Sequence, residues 1–269
     1  MSRITSTFSS LKERGEKALI PFVTVGDPDL EATADLVFEM EEQGADLIEL
    51  GIPFSDPLAD GPIIQKASQR ALRQRISLRK AVEFVSQLRQ RTEIPLIFLT
   101  YFNPIFQYGE EAFAKDAVEA GVDGVIIPDL PPEEAGSLIE ESEKRGFDTI
   151  FLLAPTSTEE RITLISRVSR GFLYYVSLTG VTGVRDQLRS DIAEKLGEIR
   201  RISEKPLAVG FGVSTPEQAR LIASWADGVA VGSAVVRVIE EHLGSRDLVK
   251  HVGTFVKQLK EGVNQSRAN

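Results

Sequence analysis

Two carboxylates and two glycine-rich stretches are the residues in this chain whose types and spacing could do chemistry. Glu49 lies inside the apolar run Ala45–Ile52, close to its end. A carboxylate there faces either a buried sheet interior or the helices packed against it, and both are costly unless the group is partnered or used. Burial raises its pKa, which suits proton transfer near neutral pH. A structural carboxylate bonded to backbone amides fits the spacing equally well. Asp60 follows Pro53 and Pro57, in a loop stiff enough to return its carboxylate over the end of the strand. Asp56, between Ser55 and Pro57, reads as a turn former or rim contact. The stretches Gly210-Phe211-Gly212-Val213-Ser214 and Val231-Gly232-Ser233-Ala234 could cradle an anion, because glycines let backbone N–H groups approach closely. Gly232-Ser233 also opens a helical pattern, Ala234–Glu241, whose N-terminus favours negative charge. Glycines that only relieve crowding are the plainer alternative.

Other residues carry weaker signals. Tyr175 lies within an apolar run and could point toward a ligand or simply pack in the core. Phe22, Tyr101 and Phe211 could line an apolar pocket, although core packing suits each of them, and Trp225 reads as packing. The segment Thr179-Gly180-Val181-Thr182-Gly183-Val184-Arg185 is glycine-rich, with no strand or helix expected before Asp191. That suits either a lid that closes over a site or an ordinary loop.

The elements that must position these residues recur along the chain. Short apolar runs (Ala18–Val25, Ala45–Ile52, Ile94–Tyr101, Val122–Pro128, Asp148–Ala154, Phe172–Leu178, Pro206–Val213 and Ala226–Val231) have strand length and mostly lack alternation, as strands buried on both faces do. Between them lie amphipathic stretches: Leu30–Gln43, Ser77–Arg91, Glu110–Ala120, Pro132–Arg145, Thr158–Ser169, Asp191–Ser203 and Pro216–Trp225, with a last from Arg246 to about Val263. Gly44, Gly121, Gly146 and Gly171 close helices, Pro132 and Pro216 open them, and Thr158 and Thr215 suit N-caps. Eight such units in 269 residues, with no linker or change of composition, predict an α/β fold: one (β/α)8 TIM barrel spanning residues 1–269. An open doubly wound sheet is the competitor. An extra N-terminal helix, Ile4–Lys17, would cap the barrel floor, and a short extra helix follows the last strand. In such barrels the site sits at the C-terminal ends of the strands, where both carboxylates and both glycine stretches fall.

Composition removes several classes. Forty acidic against 31 basic residues leave a formal charge of −9, a poor match for nucleic acid or an anionic membrane. There are no cysteines, hence no disulfide, thiolate metal site or cysteine nucleophile. The two histidines, His242 and His251, lie near the C-terminus, away from any metal-dependent aldolase site. No lysine ends a strand, and Lys205 precedes one, which argues against a Schiff-base aldolase. If the chain breaks a carbon–carbon bond, the electron sink has to be in the substrate. The N-terminal residues show no apolar stretch of signal-peptide type, and the longest uncharged run, Ile94–Gly109, is broken by prolines, so a cytoplasmic location is expected.

The run Glu49-Leu50-Gly51-Ile52-Pro53-Phe54-Ser55-Asp56-Pro57-Leu58-Ala59-Asp60-Gly61-Pro62 resembles the signature of the tryptophan synthase alpha chain family. The likeness continues through Pro21–Pro28, Tyr101–Pro104, Pro128–Pro131, Tyr174–Ser177, Gly180–Gly183, Gly210–Val213 and Gly232-Ser233, in order and over nearly the whole chain. The resemblance implies retro-aldol cleavage of indole-3-glycerol phosphate to indole and glyceraldehyde 3-phosphate, with the indole ring as electron sink. It implies that Glu49 moves the protons and that Asp60 holds the indole N–H. Backbone amides at Gly183, Gly212, Gly232 and Ser233 would hold phosphate, Tyr175 would sit by the substrate, and Thr182 would reach Asp60 on lid closure. It further implies a beta chain partner in an α2β2 heterotetramer, docked through Pro53, Asp56, Asn103, Pro104, Asp129 and Pro131. Pyridoxal phosphate would lie on that partner and no cofactor in this chain. Another phosphate-binding barrel, a stand-alone lyase and a non-catalytic ligand-binding subunit are the rivals. The first lacks its strand-end lysine here, and the last sits badly with both carboxylates being present.

Overall fold

The computed structural model describes residues 1–176, 185–210 and 212–268. Among the described residues nine strands, all paired in parallel, run in the order β5-β4-β3-β2-β1-β9-β8-β7-β6. They are β1 (Ala18–Thr24), β2 (Ile48–Gly51), β3 (Leu96–Leu99), β4 (Gly124–Ile126), β5 (Asp148–Ile150), β6 (Leu152–Leu153), β7 (Leu173–Val176), β8 (Leu207–Gly210) and β9 (Gly228–Val231). β5 and β6 are consecutive pieces of one strand interrupted at Phe151, so the ring closes with eight positions. This is the expected barrel, not the open sheet.

Alternation along the strands divides the core in two. Ile20, Leu47, Ile97, Ile126, Ile150, Tyr174, Ala208 and Ala230 form the inner cluster. Leu19, Ile48, Leu50, Phe98, Val125, Leu173, Tyr175, Val209 and Val229 face outward against helices such as α2 (Leu30–Glu42), α4 (Leu78–Leu88), α8 (Glu159–Val168), α10 (Pro216–Ala223) and α12 (Leu248–Asn264). Helix α1 (Arg3–Glu13) is the floor: Ile4, Phe8 and Leu11 are buried in the inner cluster. Ser2 Oγ donates to Asp148 Oδ2 at 2.5 Å, and Arg3 reaches Asp123 at 3.2 Å, which ties the plug to the strand ends. Gly124 permits that close approach, since a side chain there would crowd Ile4 and the Asp148 backbone.

Local chemistry sets the element ends. Gly44, Gly121, Gly146 and Gly171 all have positive φ, as expected after helices. The Thr158 and Thr215 hydroxyls accept from the amides of Arg161 and Gln218. Three features differ from the sequence reading. Helices α3 (Pro62–Arg73) and α5 (Phe102–Tyr108) occupy segments to which the sequence reading assigns no strand or helix. Pro132 opens no helix, because the amides of Glu134 and Ala135 bond back to Pro131 and Pro132 in tight turns, so α7 starts at Gly136 and runs to Arg145. Helix α9 begins at Arg185, ahead of Asp191, and ends at Ile202. The remaining helices are α6 (Glu110–Ala120) and α11 (Ser233–Glu241).

The floor plug predicts a large core penalty. Phe8→Ala empties a site packed 5.4 Å from the Phe172 ring, so urea unfolding is expected to show a loss of about 3–5 kcal/mol. A loss under about 1 kcal/mol would mean that α1 contributes little to the barrel.

Candidate active site

Parallel pairing places Glu49 beside Phe22 of β1 and Ile97 of β3. Its side chain points into the barrel near the C-terminal strand ends and is 2% exposed. The Tyr174 hydroxyl is its hydrogen-bonding partner, while Glu49 Oε1 has none among the described residues. Burial therefore dominates, partly offset by Tyr174, and pushes the carboxyl up to about 8. The acid holds its proton at neutral pH. Tyr174 is itself held well above an ordinary phenol by burial and by the neighbouring Glu49. Glycines at two strand ends make room for these rings. A side chain at Gly210 would collide with the Tyr174 ring, and one at Gly51 with Phe22.

Tyr175 does not face this pocket. It is 1% exposed and belongs to the outer cluster, with Asp191 of α9 among its electrostatic neighbours. With Tyr174 inward, strand alternation turns Tyr175 toward the helix layer, so the tyrosine at the site is Tyr174. Nothing within the apolar run distinguishes the two. The signal was the pairing parity with Glu49, available only once the register is known.

Asp60 lies just before α3, half-buried. Burial pushes its carboxyl up, and a hydrogen bond from the Tyr101 hydroxyl pulls it back. The Ala59 N–H donates to that same Tyr101 oxygen at 2.9 Å, and Gln65 Nε2 donates to the Asp60 carbonyl at 2.8 Å. Tyr101, at the N-cap of α5, is pushed up to about 12 by its burial and by Asp60, and its ring packs 5.3 Å from Phe54. The Asp60 loop is thus pinned from both sides.

On the other flank of β1, Gly232 is the N-cap residue of α11 and Ser233 its first residue, and among the described residues no side chain caps that end. Gly212 has a φ of 82°, a conformation that favours glycine. Phe22 lies between the two regions, with its Cβ 3.7 Å from where a Cβ on Gly232 would stand. Exposed helix amides beside a glycine turn fit a phosphate group. Thr182, Gly183 and Phe211, and the stretch expected to form a lid up to Val184, lie outside the described residues.

Of the expected rim residues, Asp56, Asn103 and Asp129 are exposed, Pro104 and Pro131 are half-buried, and Pro53 is buried within the chain. Ser55 Oγ donates to Asp56 at 2.5 Å, and Asp129 Oδ1 accepts from the Phe102 amide at 2.8 Å, helping to hold α5. Sequence reasoning missed Leu58 and Phe106, which are 90% and 62% exposed in two of the three segments that carry these rim residues. Trp225 packs against the outer cluster. Among the described residues no group of three or more acidic or histidine side chains could hold a metal ion.

The state of Glu49 has a consequence for stability. The folded chain keeps a proton that the unfolded chain releases near the ordinary glutamate value of 4.5, so this carboxyl costs increasing stability as pH rises from there to about 8. Glu49→Gln removes that cost. Its gain in unfolding free energy is expected to be small at pH 5 and roughly 2–4 kcal/mol at pH 8. Thermal unfolding across that range is the check, and a gain that does not grow with pH would mean that the carboxyl is not buried.

Comparison with known proteins places the chain in context. The family model described as tryptophan synthase alpha chain matches residues 8–264. A tryptophan synthase alpha chain of Citrifermentans bemidjiense is 55% identical, and one of Geobacter sp. strain M21 is 54% identical, each over 98% of both chains. Among solved structures, the tryptophan synthase alpha subunit of Legionella pneumophila superimposes with a TM-score of 0.91 at 40% identity, covering 98% of this chain and 99% of that one.

Proposed function

The chain belongs to the tryptophan synthase alpha chain family, and from that premise we propose roles for its residues. It is a carbon–carbon lyase of tryptophan biosynthesis that cleaves indole-3-glycerol phosphate to indole and glyceraldehyde 3-phosphate. The residue roles rest on one observation above the others: a carboxyl buried in the barrel mouth whose partner among the described residues is the Tyr174 phenol.

In this reading neutral Glu49 gives its proton to ring carbon C3, the carbon that carries the glycerol chain. The ring becomes a cation, with charge shared onto its nitrogen. The Glu49 carboxylate then takes the proton from the glycerol hydroxyl next to the scissile bond. As that oxygen becomes the aldehyde carbonyl, the carbon–carbon bond breaks and its electrons neutralise the ring cation. Glu49 ends with the proton it began with, and no oxidant or external proton is consumed. Asp60 accepts a hydrogen bond from the indole N–H and stabilises the cation, steadied by Tyr101. Phe22 supplies an apolar wall. The amides of Gly212, Gly232 and Ser233, with Gly183, hold the phosphate, and Thr182 reaches Asp60 when the lid closes.

The proposal extends to the assembly. Residues 1–269 form one catalytic barrel domain without a cofactor of its own. Among the described residues no helix is long and apolar enough to cross a membrane, and we place the chain in the cytoplasm. A beta chain carrying pyridoxal phosphate docks on the catalytic face in an α2β2 heterotetramer, through Asp56, Asn103, Pro104, Asp129, Pro131 and the edge of Pro53. The exposed Leu58 and Phe106 support this assignment, since two large apolar side chains in those segments are what an interface covers.

Indole release from indole-3-glycerol phosphate tests the reading. The chain alone is expected to release indole slowly, and addition of a beta chain to raise the rate sharply. Absence of indole in both conditions would overturn the assignment, and a rate indifferent to the beta chain would overturn the partnership. Turnover is expected to fall as pH rises through about 8, where Glu49 loses its proton. Glu49→Gln is expected to lower turnover at least 100-fold, and unchanged turnover in that variant would remove Glu49 from the mechanism.

A further inference from the structure

One ionic cluster outside the pocket joins the elements that carry its two ends. Asp27, in the turn after β1, is fully buried at 0% exposure. The Arg70 guanidinium of α3 donates to it along one edge as a bidentate pair, Nε to Oδ1 at 2.6 Å and Nη2 to Oδ2 at 2.8 Å. A third nitrogen, Nη1, reaches Glu240 of α11 at 3.5 Å, and Lys66, one turn earlier on α3, reaches the same carboxylate at 3.2 Å. Desolvation pushes Asp27 up, while the bonds from Arg70 pull it back, so this pair has to be made well.

The geography of the cluster gives it a use. Helix α3 begins at Pro62, immediately after the Asp60–Gly61 pair, and its Gln65 side chain holds the Asp60 carbonyl. Helix α11 begins at Ser233, directly at the glycine end that faces the phosphate. Arg70 therefore stands between a helix whose start carries the indole-side carboxylate and a helix whose start carries the anion site. Its fixed anchor is a carboxylate at the end of a barrel strand. A guanidinium fork holds two carboxylates in set directions, which a lysine ammonium cannot do.

We propose that Arg70 is a positioning residue that couples the two halves of the substrate site, fixing the Asp60 helix α3 and the phosphate helix α11 in one geometry through Asp27 and Glu240. The inference rests on the proposed function for what the two halves bind. Occupancy of the phosphate end by glyceraldehyde 3-phosphate, or by its unreactive analogue glycerol 3-phosphate, settles α11. Through Arg70 this settles α3 and Asp60, so indole binds more tightly, and linkage makes the effect reciprocal.

Calorimetric titration of the full-length chain with glycerol 3-phosphate, with and without saturating indole, measures the coupling directly. The wild type is expected to show a coupling of about fivefold or more. Arg70→Lys and Glu240→Gln are expected to bring that factor close to one. Thermal unfolding beside each titration checks the fold, and Glu240→Gln leaves the buried Asp27–Arg70 pair intact in case Arg70→Lys unfolds. In Arg70→Lys, turnover by the complex with a beta chain should fall at saturating substrate, because α3, and Asp60 with it, is no longer fixed relative to α11 even when phosphate is bound. A purely structural role would lower both single-ligand affinities and leave their coupling factor unchanged, which would overturn the proposal. A wild-type factor of one would also overturn it. Failure of the wild type to bind either ligand would instead overturn the functional reading beneath it.

Discussion

Everything in the site depends on an uncharged carboxylic acid kept inside a closed ring of strands. A barrel of eight strand positions has a narrow interior, and α1 fills its floor with Ile4, Phe8 and Leu11. Only the layer at the C-terminal strand ends is left for chemistry. Glu49 occupies that layer between Phe22 and Ile97, in surroundings that strip its water and offer one phenol in exchange. The apolar neighbours that make the carboxylate unfavourable also make the acid available at neutral pH, and one of them is the aromatic Phe22 on the paired strand.

The second carboxylate answers to a different environment. Asp60 sits on a loop, half-buried, with Tyr101 bonded to it. The unlike surroundings of the interior acid and the partly solvated rim carboxylate suit the unlike tasks proposed for them, the first to move a proton and the second to meet a positive charge. Were Asp60 as deeply buried as Glu49 with no more support, it too would be driven toward the neutral form. Glycines at 51 and 210 complete the arrangement by yielding space to Phe22 and Tyr174.

Much of this was legible before any coordinates. The apolar runs mark all eight strand positions, because strands buried on both faces carry continuous Val, Ile and Leu, and the glycines after helices and the threonine caps have local causes that sequence states directly. Glu49 stood out because a charge interrupts such a run. That same continuity hid the orientation of Tyr174 and Tyr175: without alternation a buried strand carries no parity, and only its pairing with neighbours turns one tyrosine inward. Helix α5 was hidden by its shortness and by Pro104 at its third position, which reads as a loop signal, while α3 follows a proline-rich loop that obscures its start. Pro132 misled for the converse reason, since a proline that could open a helix instead closes tight turns ahead of Gly136.

The placement of parts also bears on how such a site can be controlled. Glu49 is fixed by strand pairing on both sides and by the packed interior, so its state changes only if the barrel changes. Asp60 and the amides proposed to bind the anion stand at the starts of α3 and α11, outside the ring, in elements that contact each other and β1. Glycine amides and a helix terminus can hold an anion without a cluster of basic side chains, which is compatible with a chain of charge −9. Their field falls away within about the first helical turn, so small movements of α11 alter it strongly. In the proposed roles, an interaction at the rim, where Leu58 and Phe106 stand exposed, therefore adjusts charge stabilisation and phosphate affinity while leaving the acid untouched. Rigid acid chemistry and adjustable binding coexist because the ring carries one and the helices outside it carry the other.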